Sequence, residues 1–252
     1  MKKLMAANWK MYKTAEEAFD TAAELVALCG ASLPDDREVL VIPPFTALGR
    51  AGQALAGNPR FLLGGQNFYP EEQGAFTGEI SPAMLLDAGC AFALAGHSER
   101  RHVMGETDEM VGRKVAFGLE KGLSVILCVG ERIEERRAGQ VEDVLRVQLD
   151  KGLAGVPRDV DPVRLVVAYE PVWAIGTGEV AGPEEIVQAH GAVRRELLRL
   201  FGEAGHEVRV QYGGSVKPDN AAEIIHLDNV DGVLVGGASL RADSFSRIVL
   251  AD

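Results

Sequence analysis

A carboxylate at the end of an apolar segment is the residue best placed for chemistry in this chain. Glu170 follows the apolar run 165–169, and Pro171 separates it from a second apolar run, 172–175, and a Gly-Thr-Gly segment. Loops normally run over the wet surface, so apolar loop residues need something to cover or to pack against. One interpretation is a general base beneath a lid that excludes water. The other is a packed loop whose carboxylate forms a salt bridge, and this segment alone supports both equally.

Further polar residues follow other short apolar runs. Asn8 and Lys10 follow the apolar run 4–7, and His97 and Glu99 follow the apolar run 91–95. A histidine near a carboxylate base is a candidate proton-transfer partner. Taken singly, a lysine after a strand is usually solvated, and a lone histidine usually has a structural role. Glu99 is a candidate for orienting Lys10, for proton transfer, or for pairing with a neighbouring arginine.

Two Gly-Gly turns indicate an anion site. Gly213-Gly214-Ser215 and Gly236-Gly237 each follow an apolar run near the end of the chain. Glycine lets the backbone approach a ligand closely, and exposed N–H groups in such turns bind anions. A single Gly-Gly pair would indicate only a tight turn, whereas two pairs after consecutive runs favour a phosphate site.

Eight short, mostly continuous apolar runs must position these residues. Runs of this kind are typical of parallel strands buried on both faces. The predicted strands cover 4–7, 39–42, 61–63, 91–95, 125–129, 165–169, 208–212 and 233–235. Amphipathic patterns predict helices between the strands. A capping box at 14–17 opens a helix that ends near Cys29, and Ser81-Pro82 marks the start of another. Further helices are predicted over 106–121, 134–152, 183–201 and 218–225, and a last one begins at 238 or 239.

Alternating strands and helices over 252 residues predict a (β/α)8 barrel that forms one domain over 1–252. A doubly wound open sheet is the alternative, but no G-x-G-x-x-G motif follows the first strand. In a barrel, the carboxyl ends of the strands face the active site. Lys10, His97, Glu170 and both Gly-Gly turns are therefore expected in one site.

Composition excludes several kinds of partner. The net charge of −11 disfavours nucleic acid and anionic membranes as partners. Cys29, Cys90 and Cys128 are odd in number and far apart, which predicts a reducing compartment and no structural zinc. The apolar N-terminal run ends at Asn8, too early for a signal peptide, so a cytoplasmic location is expected. Metal, Walker and dinucleotide motifs are absent, and neither metal nor cofactor is expected.

Five motifs together resemble the triosephosphate isomerase family. They stand at 8–11, 96–101, 168–178, 212–216 and 236–240, in the order of the family and across nearly the whole chain. The resemblance implies interconversion of dihydroxyacetone phosphate and D-glyceraldehyde 3-phosphate through an enediolate, with no cofactor.

The resemblance also implies a role for each residue. Glu170 is the base, and neutral His97 is the electrophile at the carbonyl oxygen, with a helix N-terminus favouring the neutral imidazole. Lys10 and Asn8 bind substrate and stabilise negative charge. The phosphate is held by backbone N–H groups of Gly176, Ser215 and Gly237, with Gly236 beside them, and 172–177 is the lid.

The family is usually a homodimer, and the segment 74–79, with Phe76 and Thr77, matches its interface loop. That loop reaches the neighbouring site near Asn8 and Lys10. Tyr12 and the segment 67–73 depart from the family pattern, which bears on the interface rather than on the chemistry.

Two other functions stay open: a barrel that binds a phosphorylated metabolite without turnover, and a phosphate-handling aldolase. Glu170 follows the sixth predicted strand, where a Schiff-base aldolase would have a lysine, and this weakens the aldolase interpretation.

Overall fold

Eight parallel strands close into a barrel in the computed structural model, which describes residues 1–175 and 180–252. The strands pair in chain order, and β8 closes the barrel against β1. They are β1 (Lys3–Asn8), β2 (Arg37–Ile42), β3 (Phe61–Gly65), β4 (Phe92–Ala95), β5 (Ser124–Val129), β6 (Leu165–Tyr169), β7 (Arg209–Tyr212) and β8 (Gly232–Val235). The predicted (β/α)8 class is confirmed, with a strand at each predicted run.

Helices surround the barrel. Within the described residues they are α1 (Ala15–Cys29), α2 (Leu48–Leu55), α3 (Pro82–Asp87), α4 (Ser98–His102), α5 (Asp108–Glu120), α6 (Ile133–Arg137), α7 (Val141–Gly152), α8 (Pro183–Phe201), α9 (Ala221–Ile225) and α10 (Ala242–Val249). Among these same residues, none of the helices combines the length and the apolar character that a bilayer crossing requires.

The strands read as continuous apolar runs because both of their faces are buried. Leu40, Ile42, Leu94 and Ile126 belong to a cluster inside the barrel. Neighbouring strand residues such as Val41 belong to a second cluster between the strands and the helices. Two apolar layers therefore hold the strand ends in fixed positions, which is what a site built on those ends requires.

Some predicted helix bounds are wrong. The expected helix 134–152 is two helices, α6 and α7, because Gly139 between them has a φ of +71°. The helix expected from 106 begins at Asp108, after Thr107 caps it with a side-chain hydrogen bond to Met110 N–H. The helix expected from 218 begins at Ala221. The C-terminal helix begins at Ala242, after a 3-10 turn over Gly237–Ser239.

Candidate active site

The predicted site residues meet at the carboxyl ends of the strands, around a cavity of about 300 Å³. The cavity is lined by Asn8, Lys10, His97, Glu170, Ser215, Gly236 and Gly237, among others. Glu99 is connected to the cavity by its hydrogen bond from the Lys10 ammonium. Gly176 lies outside the described residues. Strand ends from β1, β4, β6, β7 and β8 thus contribute to a single cavity.

The Glu170 carboxylate is buried and points toward β4. Its Oε1 lies 3.0 Å from His97 Nε2, and its Oε2 accepts a 2.9 Å hydrogen bond from the Ser98 backbone N–H. Burial raises the pKa of Glu170, but the contacts with His97 and Ser98 lower it more, so the net pKa lies below its usual 4.5. In this position the carboxylate is ionised and is a weak base.

His97 caps the N-terminus of α4, and its Nδ1 accepts a hydrogen bond from Glu99 N–H at 3.3 Å. We assign the ring hydrogen to Nε2, which then donates to Glu170. Burial lowers the pKa of His97, and the Glu170 carboxylate raises it by more, so the pKa is raised while the two side chains touch. Without that contact, burial and the helix N-terminus would favour the neutral ring.

Lys10 is fixed by several contacts. Its ammonium Nζ lies 2.7 Å from Glu99 Oε1. Its backbone has a φ of +51°, a strained conformation for a residue other than glycine. The Asn8 side chain accepts the Lys10 N–H at 3.0 Å, and Gln66 Nε2 donates to the Lys10 carbonyl at 2.7 Å. Sequence reasoning did not identify Gln66, because no short motif contains both residues.

Two glycines make room for Glu170, one beside its side chain and one beside its backbone. A Cβ at Gly213 would lie 2.8 Å from Glu170 Cγ, and one at Gly130 would lie 1.8 Å from the Glu170 carbonyl oxygen. Side-chain atoms do not approach so closely, so both positions require glycine while Glu170 stays in place. Gly213 therefore has a second use besides the predicted anion turn.

The segment after Glu170 begins as a 3-10 turn over Val172–Ala174. Trp173 Nε1 donates to Glu131 Oε1 at 2.9 Å, and Tyr169 OH donates to the same oxygen at 3.1 Å. The buried Glu131 carboxylate therefore holds the first part of the predicted lid. The lid prediction covered 172–177, and its residues 176 and 177 lie outside the described part of the chain.

The three cysteines are buried free thiols. Burial raises the pKa of Cys29 to about 11 and that of Cys90 to about 12. Cys128 lies inside the barrel, where burial and then the Glu170 carboxylate raise its pKa well above 9.0. All three are therefore protonated at neutral pH and are poor nucleophiles.

No cluster of three or more histidine, cysteine, aspartate or glutamate side chains suited to a metal ion occurs among residues 1–175 and 180–252.

Known proteins resemble this chain along its whole length. The family model described as triosephosphate isomerase matches residues 3–252. A triosephosphate isomerase of Nitratidesulfovibrio vulgaris (strain DSM 19637 / Miyazaki F) is 65% identical over 251 residues, covering 100% of both chains. One from Oleidesulfovibrio alaskensis is 62% identical over the same length and coverage. The crystal structure of triosephosphate isomerase from Bartonella henselae covers 98% of each chain, with a TM-score of 0.87 and 38% identity.

Proposed function

The chain belongs to the triosephosphate isomerase family, and we infer that it interconverts dihydroxyacetone phosphate and D-glyceraldehyde 3-phosphate, a step of glycolysis and gluconeogenesis. The observation that carries the proposed mechanism is the buried contact between Glu170 and His97, within a cavity that two Gly-Gly turns also line. A carboxylate base, an imidazole donor and an anion site suit proton transfer beside the carbonyl of a phosphorylated sugar.

In this proposal Glu170 moves the proton between two neighbouring carbons. It takes a proton from the carbon beside the carbonyl, and the electron pair moves onto the carbonyl oxygen to give an enediolate. Glu170 then returns the proton to the former carbonyl carbon. The hydroxyl proton of the neighbouring oxygen passes to the former carbonyl oxygen, and the new carbonyl forms where that hydroxyl stood. The carboxylate first leaves Ser98 N–H and His97, and the loss of those two contacts raises its basicity while burial persists.

His97 and Lys10 stabilise the charge that develops on oxygen. The Nε2–H of His97, released by Glu170, donates to the carbonyl oxygen, and the Lys10 ammonium adds a positive charge beside it. Glu99 orients Lys10, a role supported by their 2.7 Å contact. Asn8 holds the strained Lys10 backbone and contributes to substrate binding.

Backbone N–H groups hold the phosphate at the other side of the cavity. Ser215, Gly236 and Gly237 line it there, and Gly176 completes the set in this proposal. The segment 172–177 closes over the bound substrate and excludes water, which protects an enediolate from losing phosphate. The anchored indole of Trp173 marks where the closing segment joins the barrel.

Replacing Glu170 with glutamine tests the base directly. We expect kcat for glyceraldehyde 3-phosphate, without added cofactor, to fall by about 10²- to 10⁴-fold, the usual range for general base catalysis. The circular dichroism spectrum should not change. Glu203→Gln is a matched control, because it makes the same charge change at an exposed residue before β7, at the opposite end of the barrel. Normal turnover by Glu170→Gln would remove Glu170 from the mechanism.

The proposal extends to the protein as a whole: one domain over 1–252, located in the cytoplasm and acting as a homodimer. Three free thiols support a reducing compartment. Exposed apolar side chains support the dimer: Met11 is 93% exposed and Val103 78%, and Phe76 is exposed in the loop that also contains Thr77. These residues follow strands β1, β3 and β4, on one side of the barrel, where a second chain would cover them.

Phe76→Asp tests the dimer, since a carboxylate buried in an apolar interface destabilises it. Sedimentation should show dimers of the parent protein and monomers of the variant at micromolar concentration. Val163→Asp is the control, because Val163 is 53% exposed but lies before β6, at the opposite end of the barrel. A monomeric parent protein, or a fully dimeric Phe76→Asp variant, would contradict this interface.

A further inference from the structure

The charges around the cavity leave little net attraction for a dianionic substrate. Lys10, which lines the cavity, forms an ion pair with Glu99 at 2.7 Å, so its attraction for a distant anion is largely offset. Glu170 adds a negative charge, and the whole chain has a net charge of −11. An approaching phosphate dianion therefore needs a positive charge that no nearby carboxylate compensates.

Lys217 supplies such a charge. It lines the same cavity, two residues after Ser215, and its side chain is exposed. Within residues 1–175 and 180–252, no carboxylate lies within the 4.0 Å ion-pair distance of its ammonium. The nearest acidic residue in the sequence, Asp219, instead pairs with Arg247 at 3.3 Å.

The backbone of Lys217 is fixed although its side chain is exposed. Asn220 Oδ1 accepts the Lys217 N–H at 2.7 Å, and Asn220 Nδ2 donates to the Ser215 carbonyl at 3.1 Å. The Lys217 carbonyl accepts a hydrogen bond from Ala221 N–H at 3.0 Å. These bonds hold the lysine Cα at the phosphate side of the cavity, beside the Ser215 turn.

We propose that Lys217 is a specificity-determining residue that attracts the phosphate group of the substrate into the cavity and favours dianionic over neutral substrates. This inference rests on the proposed isomerase function. Lys217 acts on the encounter with the phosphate, whereas Lys10 and His97 act on the reacting carbonyl. Its contribution is therefore largest in kcat/KM, small in kcat, and reduced by salt.

The test compares Lys217→Met with the parent enzyme on glyceraldehyde 3-phosphate and on phosphate-free glyceraldehyde. At an ionic strength of about 0.01 M, we expect kcat/KM for the phosphorylated substrate to fall about three- to tenfold. At about 0.3 M the loss should shrink to about twofold or less, because salt screens the charge. Turnover of glyceraldehyde should not change, and Lys217→Arg should retain most of the parent kcat/KM.

Lys2→Met is the matched control. It makes the same change in net charge, but Lys2 precedes β1 at the opposite end of the barrel and faces Glu38 at 3.8 Å. Equal kcat/KM for Lys217→Met and Lys2→Met would overturn the inference. So would an equal loss with glyceraldehyde, or a loss that persists at high salt.

A binding measurement separates this inference from the proposed function. Inorganic phosphate, titrated by calorimetry into each protein, should bind more weakly to Lys217→Met than to Lys2→Met. If the parent protein fails to isomerise triose phosphates, the proposed function fails, and the phosphate titration still decides the role of Lys217. If the parent isomerises and phosphate binds both variants equally, only the inference on Lys217 fails.

Discussion

Replacing His190 with glutamine should make the stability of this protein less sensitive to acid. His190 lies on α8, fully buried, and its Nδ1 donates to the Asn229 carbonyl at 2.9 Å. Its ring meets the Tyr169 ring edge-on, with 5.8 Å between centroids. Burial is the main cause that lowers the pKa of His190 from 6.5 to about 4.

The sign follows from comparing the folded and unfolded chains. Because the folded pKa is the lower one, the unfolded chain takes up a proton first as the pH falls. The stabilisation is therefore complete above pH 6.5 and is lost as the pH falls through about 4. The two pKa values correspond to about 3 kcal/mol in total, of which about 2 kcal/mol is lost between about pH 7 and pH 5.

Urea unfolding at several pH values and one fixed chain concentration measures this effect. The glutamine amide can still donate to Asn229, and any packing loss in His190→Gln is independent of pH. The free energy of unfolding of the parent minus that of the variant should therefore decrease by about 2 kcal/mol from about pH 7 to pH 5. His226→Gln, at an exposed histidine, is the control and should show no such decrease. A constant difference for His190→Gln would refute the reasoning.

Three further substitutions address the site. Glu99→Gln keeps a hydrogen bond to Lys10 but removes its counter-charge; a half-exposed pair contributes about 1 kcal/mol, so kcat should fall about fivefold in a steady-state assay. Gly213→Ala places a Cβ 2.8 Å from Glu170 Cγ. The displaced base should lower kcat by about tenfold to a hundredfold with an unchanged melting temperature, and unchanged kcat would contradict the steric argument. 2-Phosphoglycolate is expected to change the tryptophan emission of the parent protein, and Trp173→Phe should abolish most of that change. A full change in the variant would place the signal elsewhere.

Much of the fold could be predicted because a barrel strand is apolar on both faces. Each of the eight predicted runs became a strand, since few other elements bury so short a segment so completely. Helix bounds were harder to predict, because they depend on single residues. Gly139 divides one amphipathic pattern into α6 and α7. The helix α2 was missed because Leu48–Leu55 contains two glycines and only a short apolar stripe.

The barrel fold was enough to predict which residues line the site, but not which of their side chains contact each other. Strand ends placed Lys10, His97 and Glu170 in one cavity, as the prediction required. Three roles were open for Glu99 from the sequence: orienting Lys10, proton transfer, or pairing with a neighbouring arginine. Only the side-chain geometry shows that it contacts Lys10. The contacts of Gln66 with Lys10 and of Glu131 with the start of the lid connect residues far apart in the chain. No local pattern specifies such pairs.

In the proposed mechanism, the position of Glu170 links its basicity to closure of the proposed lid. Where it stands, Ser98 N–H and His97 stabilise the carboxylate and keep its pKa low. Its backbone is held by β5, since Glu170 N–H donates to the Val129 carbonyl at 2.7 Å, whereas the predicted lid begins two residues later. A side chain that turns from Ser98 toward substrate exchanges two stabilising hydrogen bonds for a buried, dry position, which raises its pKa. The same movement would free the Nε2–H of His97, which now faces Glu170 at 3.0 Å, for the substrate oxygen. In the proposed mechanism, one rotation at Glu170 would strengthen the base and expose the electrophile together. Closure of the proposed lid, residues 172–177, would then keep water out and preserve the raised basicity.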